Sequence, residues 1–478
     1  MRRLLVLAAI AAASPLLACR QPSRADPAPA PPVASAPTKT EIPLADVRSI
    51  VTARSSYIPQ AFQSQSPSAT EQAWIAWRDQ QRADVRARLE RGGEDSLVNF
   101  WLYGTSFTRL PRATAQHMGA LDRDRAEALL IGRLNDLVTA LGSPAEEERL
   151  QFGRQVLQRH GIDARTAAGQ DRARIYLVDA RARTIGENDR YRSASAAASR
   201  IGDPAARLAA YATVYHDRGL SSDTSLRAGF AVDAALASLQ AKSRFGSVPV
   251  RRIAIVGPGL DFTDKAEGYD FYPQQSIQPF AVIDSLLRLG LAQPGDLQVT
   301  TFDVNPSVNA HLSSLRSRAT RGYVLQVPLD PERPSHPWHP DLLRYWKTFG
   351  DRIGDPVTPM APPPGTDVRL RAVHLRPSIA QSIVPIEMNI VLERLQDLTD
   401  ADRFDLVVAT NVLVYYDAFA QSLALANVGS MLRPGGVFLT NYAVAPPPPM
   451  EPTASDVTAV FFDRQQQNGD TMFSYQRK

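Results

Sequence analysis

Three groups of residues have the types and spacing to hold a ligand through main-chain and polar contacts. Gly257-Pro258-Gly259 follows the apolar run 253–256. Glycines in that place let the main chain approach a bound molecule closely and take up positive φ. Asp303 closes a second run, 299–303, just before Asn305-Pro306. A carboxylate there can accept hydrogen bonds from ligand hydroxyls, or it can cap the next turn. Asn411 follows a third run, 404–410, and offers both a donor and an acceptor. Tyr269, Asp270, Tyr272, Tyr416 and Asp417 lie near these groups in the chain and are candidates to face a substrate, each also readable as structural. No His, Cys or acidic group has metal-ligand spacing, and His336 and His339 sit in a Pro- and Trp-rich stretch.

The elements around these residues must bring them to one place. From 248 onward, strand-like apolar runs alternate with helical segments, a pattern that predicts a parallel sheet with crossover helices. Strands are expected at 250–256, 299–303, 403–411 and 437–441, with further candidates at 368–375 and 386–392. Helices are expected at 277–291, from Asn305-Pro306 onward, and from 417 to 432. Residues 328–366 read as an inserted loop with a short helix near 342–349. Two apolar runs, 457–462 and 471–475, flank Asn468-Gly469 and predict a closing hairpin. In such sheets the ligand crevice lies beyond the carboxyl ends of the strands. The three groups would therefore converge.

With Phe-Asp-Leu-Val-Val-Ala-Thr-Asn-Val-Leu-Val-Tyr-Tyr at 404–416 and Met-Leu-Arg-Pro-Gly-Gly-Val-Phe-Leu at 431–439, residues 248–478, in a domain expected over 246–478, resemble the Rossmann-like, class I S-adenosylmethionine-dependent methyltransferases. The resemblance implies an α/β fold: a seven-stranded, mostly parallel Rossmann-like sheet with an antiparallel last strand. It implies S-adenosylmethionine as cofactor, with Gly257, Pro258 and Gly259 against its methionine part and Asp303 on its ribose. An acid twelve residues before Asp405 would face the adenine, which places Glu393 there, with Asp397 as the alternative. Asn411 would line the methionine pocket. The family's third glycine and its acid two positions before the first glycine are replaced by Asp261 and Ile255. Asp261 could then reach the amino group from the other side of the turn. The implied reaction is methyl transfer to an unidentified acceptor. A second reading is a non-catalytic binding or scaffolding protein with the same fold. A third, a nucleotide-dependent oxidoreductase, predicts NAD(P)H binding, but the first helix begins too far from the glycine turn to cradle a pyrophosphate directly.

The N-terminus reads as an address. Met1-Arg2-Arg3, the apolar run 4–13 and Leu16-Leu17-Ala18-Cys19 resemble a bacterial lipoprotein signal. This implies a signal peptide over 1–18, lipid on Cys19, and a membrane-anchored place in the cell envelope. Cys19 is the single cysteine of the 478 residues, so no intrachain disulfide can form. The Pro/Ala-rich residues 19–45 read as a disordered tether. Residues 46–245 read as an all-helical domain, with helices from Ser66-Pro67 to Gly92-Gly93 and over 95–103, 122–141, 144–160, 163–183, 204–216 and 222–239. His160 and His216 fall at helix ends, and Trp74 and Trp77 read as core. A net charge of +4, with arginines interspersed among acids, indicates solvated helix faces and no nucleic-acid partner.

Overall fold

The computed structural model describes residues 38–478 except 54–57, 64–65, 145–146, 204–205, 208–209, 212–213, 216–217, 224, 263–269, 321, 333–335, 364–365 and 445–449. Thr38–Lys478 form one compact unit. The lipoprotein-like signal, Cys19, Tyr269, His216 and most of 204–216 lie outside the described residues.

The first elements are strand β1 (Lys39–Glu41) and helix α1 (Leu44–Ala53). Residues 39–41 and 44–45, expected as part of a tether, lie in regular elements. Ile42 and Val47 supply the reason: both are buried in a core shared with the sheet. Helices α2 (Pro67–Tyr103), α3 (Ala115–Gly119), α4 (Arg123–Gly142), α5 (Glu148–Arg159), α6 (Ala167–Ser199) and α7 (Leu226–Ala241) follow. No strand lies between Glu41 and Arg252 among the described residues. Caps set most of the starts. The Ser66 hydroxyl accepts from Ala69 N with Pro67 in the first turn, Asp122 Oδ1 accepts from Arg125 N at 2.8 Å, and Thr166 Oγ1 accepts from Gly169 N at 3.0 Å. Two boundaries differ from expectation: α2 runs straight through Gly92-Gly93, and α6 runs from 167 to 199 instead of 163 to 183. Trp74 and Trp77 stack at 5.4 Å between ring centroids, with Trp77 edge-on to Phe419, as core.

The second half holds β2 (Arg252–Val256), α8 (Gln278–Arg288), β3 (Gln298–Asp303), α9 (Pro306–Ala319), β4 (Val324–Leu329), α10 (Pro340–Thr348), β5 (Gly354–Val357), β6 (Arg369–Leu375), α11 (Pro377–Gln381), β7 (Ile383–Glu387), β8 (Glu393–Leu395), β9 (Phe404–Ala409), α12 (Ala418–Met431), β10 (Leu432–Thr440), β11 (Met450–Phe461) and β12 (Gly469–Arg477). Seven strands form the main sheet in the order β11-β12-β10-β9-β2-β3-β7. β10, β9, β2, β3 and β7 are parallel, and β12 is antiparallel to both of its neighbours. This is the mostly parallel, seven-stranded architecture expected. The register sets Val256 level with Ala409 on one side and Phe302 on the other. Successive crossovers lead from β2 outward to β3 and β7, and the chain then returns to the opposite side of β2 as β9. The switch point therefore lies at the carboxyl ends of β2 and β9.

β2 alternates between two cores. Ile253 and Ile255 pack with α7, α8 and α9, while Ala254 and Val256 pack with α1 and α12. Helix–sheet packing on both faces explains why the strand is apolar throughout. The expected insertion 328–366 holds its short helix as α10 and, in addition, strand β5, which joins β4 and the expected strand β6 in a three-stranded antiparallel sheet, β4-β6-β5. Leu325, Val327, Leu329, Val373 and Leu375 bury one side of it in the first core. The candidate strand 386–392 is corrected to Ile383–Glu387, paired with β3 so that Glu387 faces Asp303. The closing hairpin is longer than expected. Its bend is organised by Asp463, whose carboxylate accepts from Asn468 N and Nδ2 at 2.7 and 2.8 Å, and not by a two-residue turn.

Candidate functional site

A cavity of about 450 Å³ opens at the switch point. Its floor comes from the ends of β2, β3, β9 and β10, and its roof from α2, Tyr215 and residues 218–223. Its volume falls in the usual range for small-molecule pockets, about 300–1,000 Å³.

The floor begins with the glycine turn. Gly257 and Gly259 have φ of +65° and +69°. Gly257 N donates to the Phe302 carbonyl at 2.8 Å, tying the turn to β3. A Cβ on Gly257 would lie 2.6 Å from Val412 Cγ2, so both conformation and space require glycine there. Both glycines line the cavity, whereas Pro258 does not. The Pro258 carbonyl accepts from Ser276 Oγ at 3.5 Å. Ile255 is fully buried in the sheet.

Asp303 stands beside the turn. Its Oδ1 accepts from Asn305 N at 2.7 Å, and main-chain N–H groups of Gly259 and Val304 also point at the carboxylate. Burial outweighs these donors and pushes the carboxyl up to about 6. Asn305 caps α9 through Ser307 N at 3.0 Å. On the other side, Asn411 takes positive φ, +58°. Its N–H donates to Asn441 Oδ1, and Asn441 Nδ2 returns a bond to Asn411 Oδ1, each at 2.8 Å. This amide pair clips the ends of β9 and β10 together beneath the cavity. Gln278, in the first turn of α8, donates to Thr410 Oγ1 at 2.7 Å, and both are buried in the cavity wall.

Several expected contacts are elsewhere. Glu393 does not line the cavity. Its carboxylate accepts from Asn389 N at 2.9 Å and Lys39 Nζ at 3.3 Å. Asp397 does not line it either. The apolar slot beside Asp303 is instead made by Met388 and Ile390, which directly follow β7. Counting back from Asp405 misses them because β7 ends at Glu387 and the chain then wanders before β9. Asp261 does not reach the cavity: its Oδ2 accepts from the Tyr272 hydroxyl at 2.8 Å and Gln275 Nε2 at 3.2 Å. Asp270 is also structural, accepting from Thr105 N and Ser106 N at 2.8–2.9 Å. Asp417 caps α12 through Ala420 N at 2.8 Å. Tyr416 does line the cavity, but burial raises its hydroxyl above the usual tyrosine value.

The roof was not legible in the sequence. Asp95, Tyr215, Arg218, Ser221 and Asp223 face the cavity from above, with Tyr415 and Tyr442 at the side. Arg88, on α2, holds this roof together. Its guanidinium donates to the carbonyls of Arg218 at 3.1 Å, Tyr415 at 2.9 Å and Tyr215 at 3.3 Å. Nothing marks Arg88 among the many arginines of that helix. Burial raises the hydroxyls of Tyr215 and Tyr442 as well, so at neutral pH these tyrosines are neutral donors. Among the described residues, no group of three or more His, Cys, Asp or Glu could hold a metal ion.

No family model matches the chain, and no curated protein matches it in sequence. Solved structures do match it. The N-methyltransferase NodS from Bradyrhizobium japonicum WM9, in complex with S-adenosyl-L-homocysteine, is 13% identical, with a TM-score of 0.24 over 50% of this chain and 85% of its own. The glycopeptide N-methyltransferase MtfA, complexed with S-adenosyl-L-methionine, is 11% identical, with a TM-score of 0.20 over 50% and 76%. An O-methyltransferase family protein from Burkholderia thailandensis is 11% identical, with a TM-score of 0.24 over 85% and 97%. Likenesses this distant transfer neither activity nor ligand to this chain.

Proposed function

We propose that this protein binds S-adenosylmethionine at the ends of β2, β3 and β9 and transfers its methyl group to an acceptor enclosed by the helical roof. The observation that carries the reading is Asp303: a desolvated carboxylate at the end of the second parallel strand, level with a glycine turn, inside the cavity at the switch point. The residues present fit such a cofactor. Gly257 and Gly259 allow the main chain to approach its methionine part. Asp303 suits a pair of ribose hydroxyls as acceptor, and Met388 and Ile390 suit the faces of a flat ring. When bound, the sulfonium supplies a methyl group on an already activated leaving group. The chain therefore contributes mainly the position of the nucleophile and the exclusion of water. Tyr215, Arg218, Ser221, Asp223, Tyr415 and Tyr442 are the side chains placed to orient the acceptor.

The N-terminal signal-like sequence and Cys19 support a lipid-anchored protein of the cell envelope, with residues 46–245 as the acceptor-facing part and 246–478 as the cofactor-binding part. No nucleic acid is involved in this reading. No helix among the described residues is long and apolar enough to cross a membrane. Calorimetry of the purified, folded protein with S-adenosylmethionine tests the proposal. Saturable one-site binding is expected, and heat-silent mixing over the micromolar to millimolar range sinks it.

A further inference from the structure

The first described residues of the chain do not stop at the helical region. They reach the back of the slot formed by Met388 and Ile390. β1 pairs antiparallel with β8, with Lys39 opposite Leu395, Thr40 opposite Arg394 and Glu41 opposite Glu393. The ladder extends at both ends: Gln396 N donates to the Thr38 carbonyl and Ile42 N to the Leu392 carbonyl, each at 2.9 Å. Behind it, Ile42 and Val47 are buried in one cluster with Met388, Ile390, Val391 and Leu392. β1 is held from its other side by α2, through Arg78 Nη1 to Glu41 Oε2 at 2.8 Å.

The loop from Glu387 to Glu393 carries Met388 and Ile390 into the cavity wall. Between β7 and β9 the described chain contains no helix, only β8. Within the loop the Asn389 carbonyl accepts from Leu392 N at 2.9 Å and Glu393 N at 2.7 Å, and Asn427 Nδ2 on α12 donates to the carbonyls of Ile390 and Val391 at 2.9 and 3.2 Å. Lys39 adds a brace between the end of β7 and the start of β8 that none of these bonds makes. Its ammonium donates to the Glu387 carbonyl at 2.9 Å and to Glu393 Oε2 at 3.3 Å. Glu393 Oε2 in turn accepts from Asn389 N at 2.9 Å. One cation thus closes both ends of the loop that carries Met388 and Ile390. It also explains what Glu393 does in place of an adenine contact.

We infer that Lys39 is a positioning residue for the adenosine end of the bound cofactor, and that the strand directly after the N-terminal region is an integral part of the cofactor site. The identity of the ligand rests on the function proposed above; the brace itself does not. The Lys39 side chain is 42% exposed, so its loss should cost little global stability. The effect should be local, in the order of the loop.

Two measurements on the full chain test this with Lys39→Met, which keeps the apolar stem and removes the ammonium. In the first, amide hydrogen exchange without ligand should rise about threefold or more at 388–392 and stay unchanged in α4, with the thermal midpoint held. In the second, the dissociation constant for S-adenosylmethionine should rise about threefold to fivefold, the size of one partly exposed charged contact. Lys39→Arg should restore both. Adding Lys39→Met to Glu393→Gln should add nothing, because the two residues act as one brace. Unchanged exchange at 388–392 overturns the inference, as does wild-type affinity in the variant when the wild type binds. If the wild type binds no S-adenosylmethionine, the proposed function fails, and the exchange measurement alone then decides whether the brace exists.

Discussion

Asp303 faces opposing demands that make its role testable by pH alone. Its carboxyl titrates at about 6 because burial outweighs the N–H groups around it. A ligand that donates hydroxyl hydrogens binds the charged form. Affinity should therefore be full above pH 6 and fall by about tenfold per unit below it, as protonation competes. Stability should move the other way. A carboxyl raised above its unfolded value destabilises the fold when ionised, and that cost is relieved as pH falls from 6 towards 4. Calorimetry between pH 5 and 8 measures the first effect, and a flat affinity would remove Asp303 from the ribose role. Asp303→Asn should abolish the pH dependence and weaken binding by about 10- to 100-fold, the worth of roughly 1.5–3 kcal/mol for hydrogen bonds to a charge. At this scale much of the floor was legible. Gly257, Gly259, Asp303 and Asn411 each end or follow a strand whose apolar run is unmistakable, and all four reach the cavity. Glu393 does not, because its assignment depended on an offset in a stretch without regular structure. Arg88, Tyr215 and Arg218 gave no signal, because their roles come from contacts across more than 100 residues of chain.

Helix α2 shows why element boundaries mislead at Gly92-Gly93. Two adjacent glycines weaken a helix locally, and a stop is the natural reading. The helix continues because the glycines let another segment lie against it. Leu220 N donates to the Arg88 carbonyl at 2.8 Å, and a Cβ on Gly92 would overlap the Leu220 carbonyl oxygen. Gly219 faces the same contact from the other side, where an added Cβ would lie 2.5 Å from Gly92 N. Gly93 is different: a Cβ there would meet Phe152 Cζ and Val156 Cγ2 at 3.6 Å, an ordinary contact. Adjacent substitutions should thus have opposite outcomes. Gly93→Ala should be neutral or stabilise by up to about 1 kcal/mol, through the lower entropy loss of alanine in a helix. Gly92→Ala should displace the segment that carries Leu220, Ser221 and Ser222, lowering both the thermal midpoint and cofactor affinity. Equal midpoints for the two variants would show that the close approach does not hold the roof.

At the scale of the whole molecule, the helical half and the sheet are joined by a buried cation. Arg149, on α5, is 1% exposed. It donates to the carbonyls of Tyr272 at 2.7 Å, Asp270 at 3.2 Å and Asp261 at 3.5 Å, and Nε donates to the Phe262 carbonyl. All four carbonyls belong to the excursion between β2 and α8, the same irregular stretch that separates the glycine turn from its helix. Phe262 lies in the core of the helical half, against Phe100 and Phe152. Asp270 ties the excursion back to Thr105 and Ser106 at the end of α2. The described residues of this stretch, 260–262 and 270–277, are therefore the joint that sets roof over floor. This predicts one cooperative thermal transition for the wild type, followed by calorimetry or by fluorescence of the tryptophans. Arg149→Met keeps some apolar volume but strips partners from several buried carbonyls, each worth about 1–3 kcal/mol when left unpaired. It should lower the midpoint and separate unfolding of the helical half from that of the sheet. A single transition at the wild-type midpoint would mean that the apolar contacts of Phe262 suffice as the joint. A split transition with cofactor affinity lost would mean that the floor alone does not make the site, and that the helical roof is as much a part of it as the glycine turn.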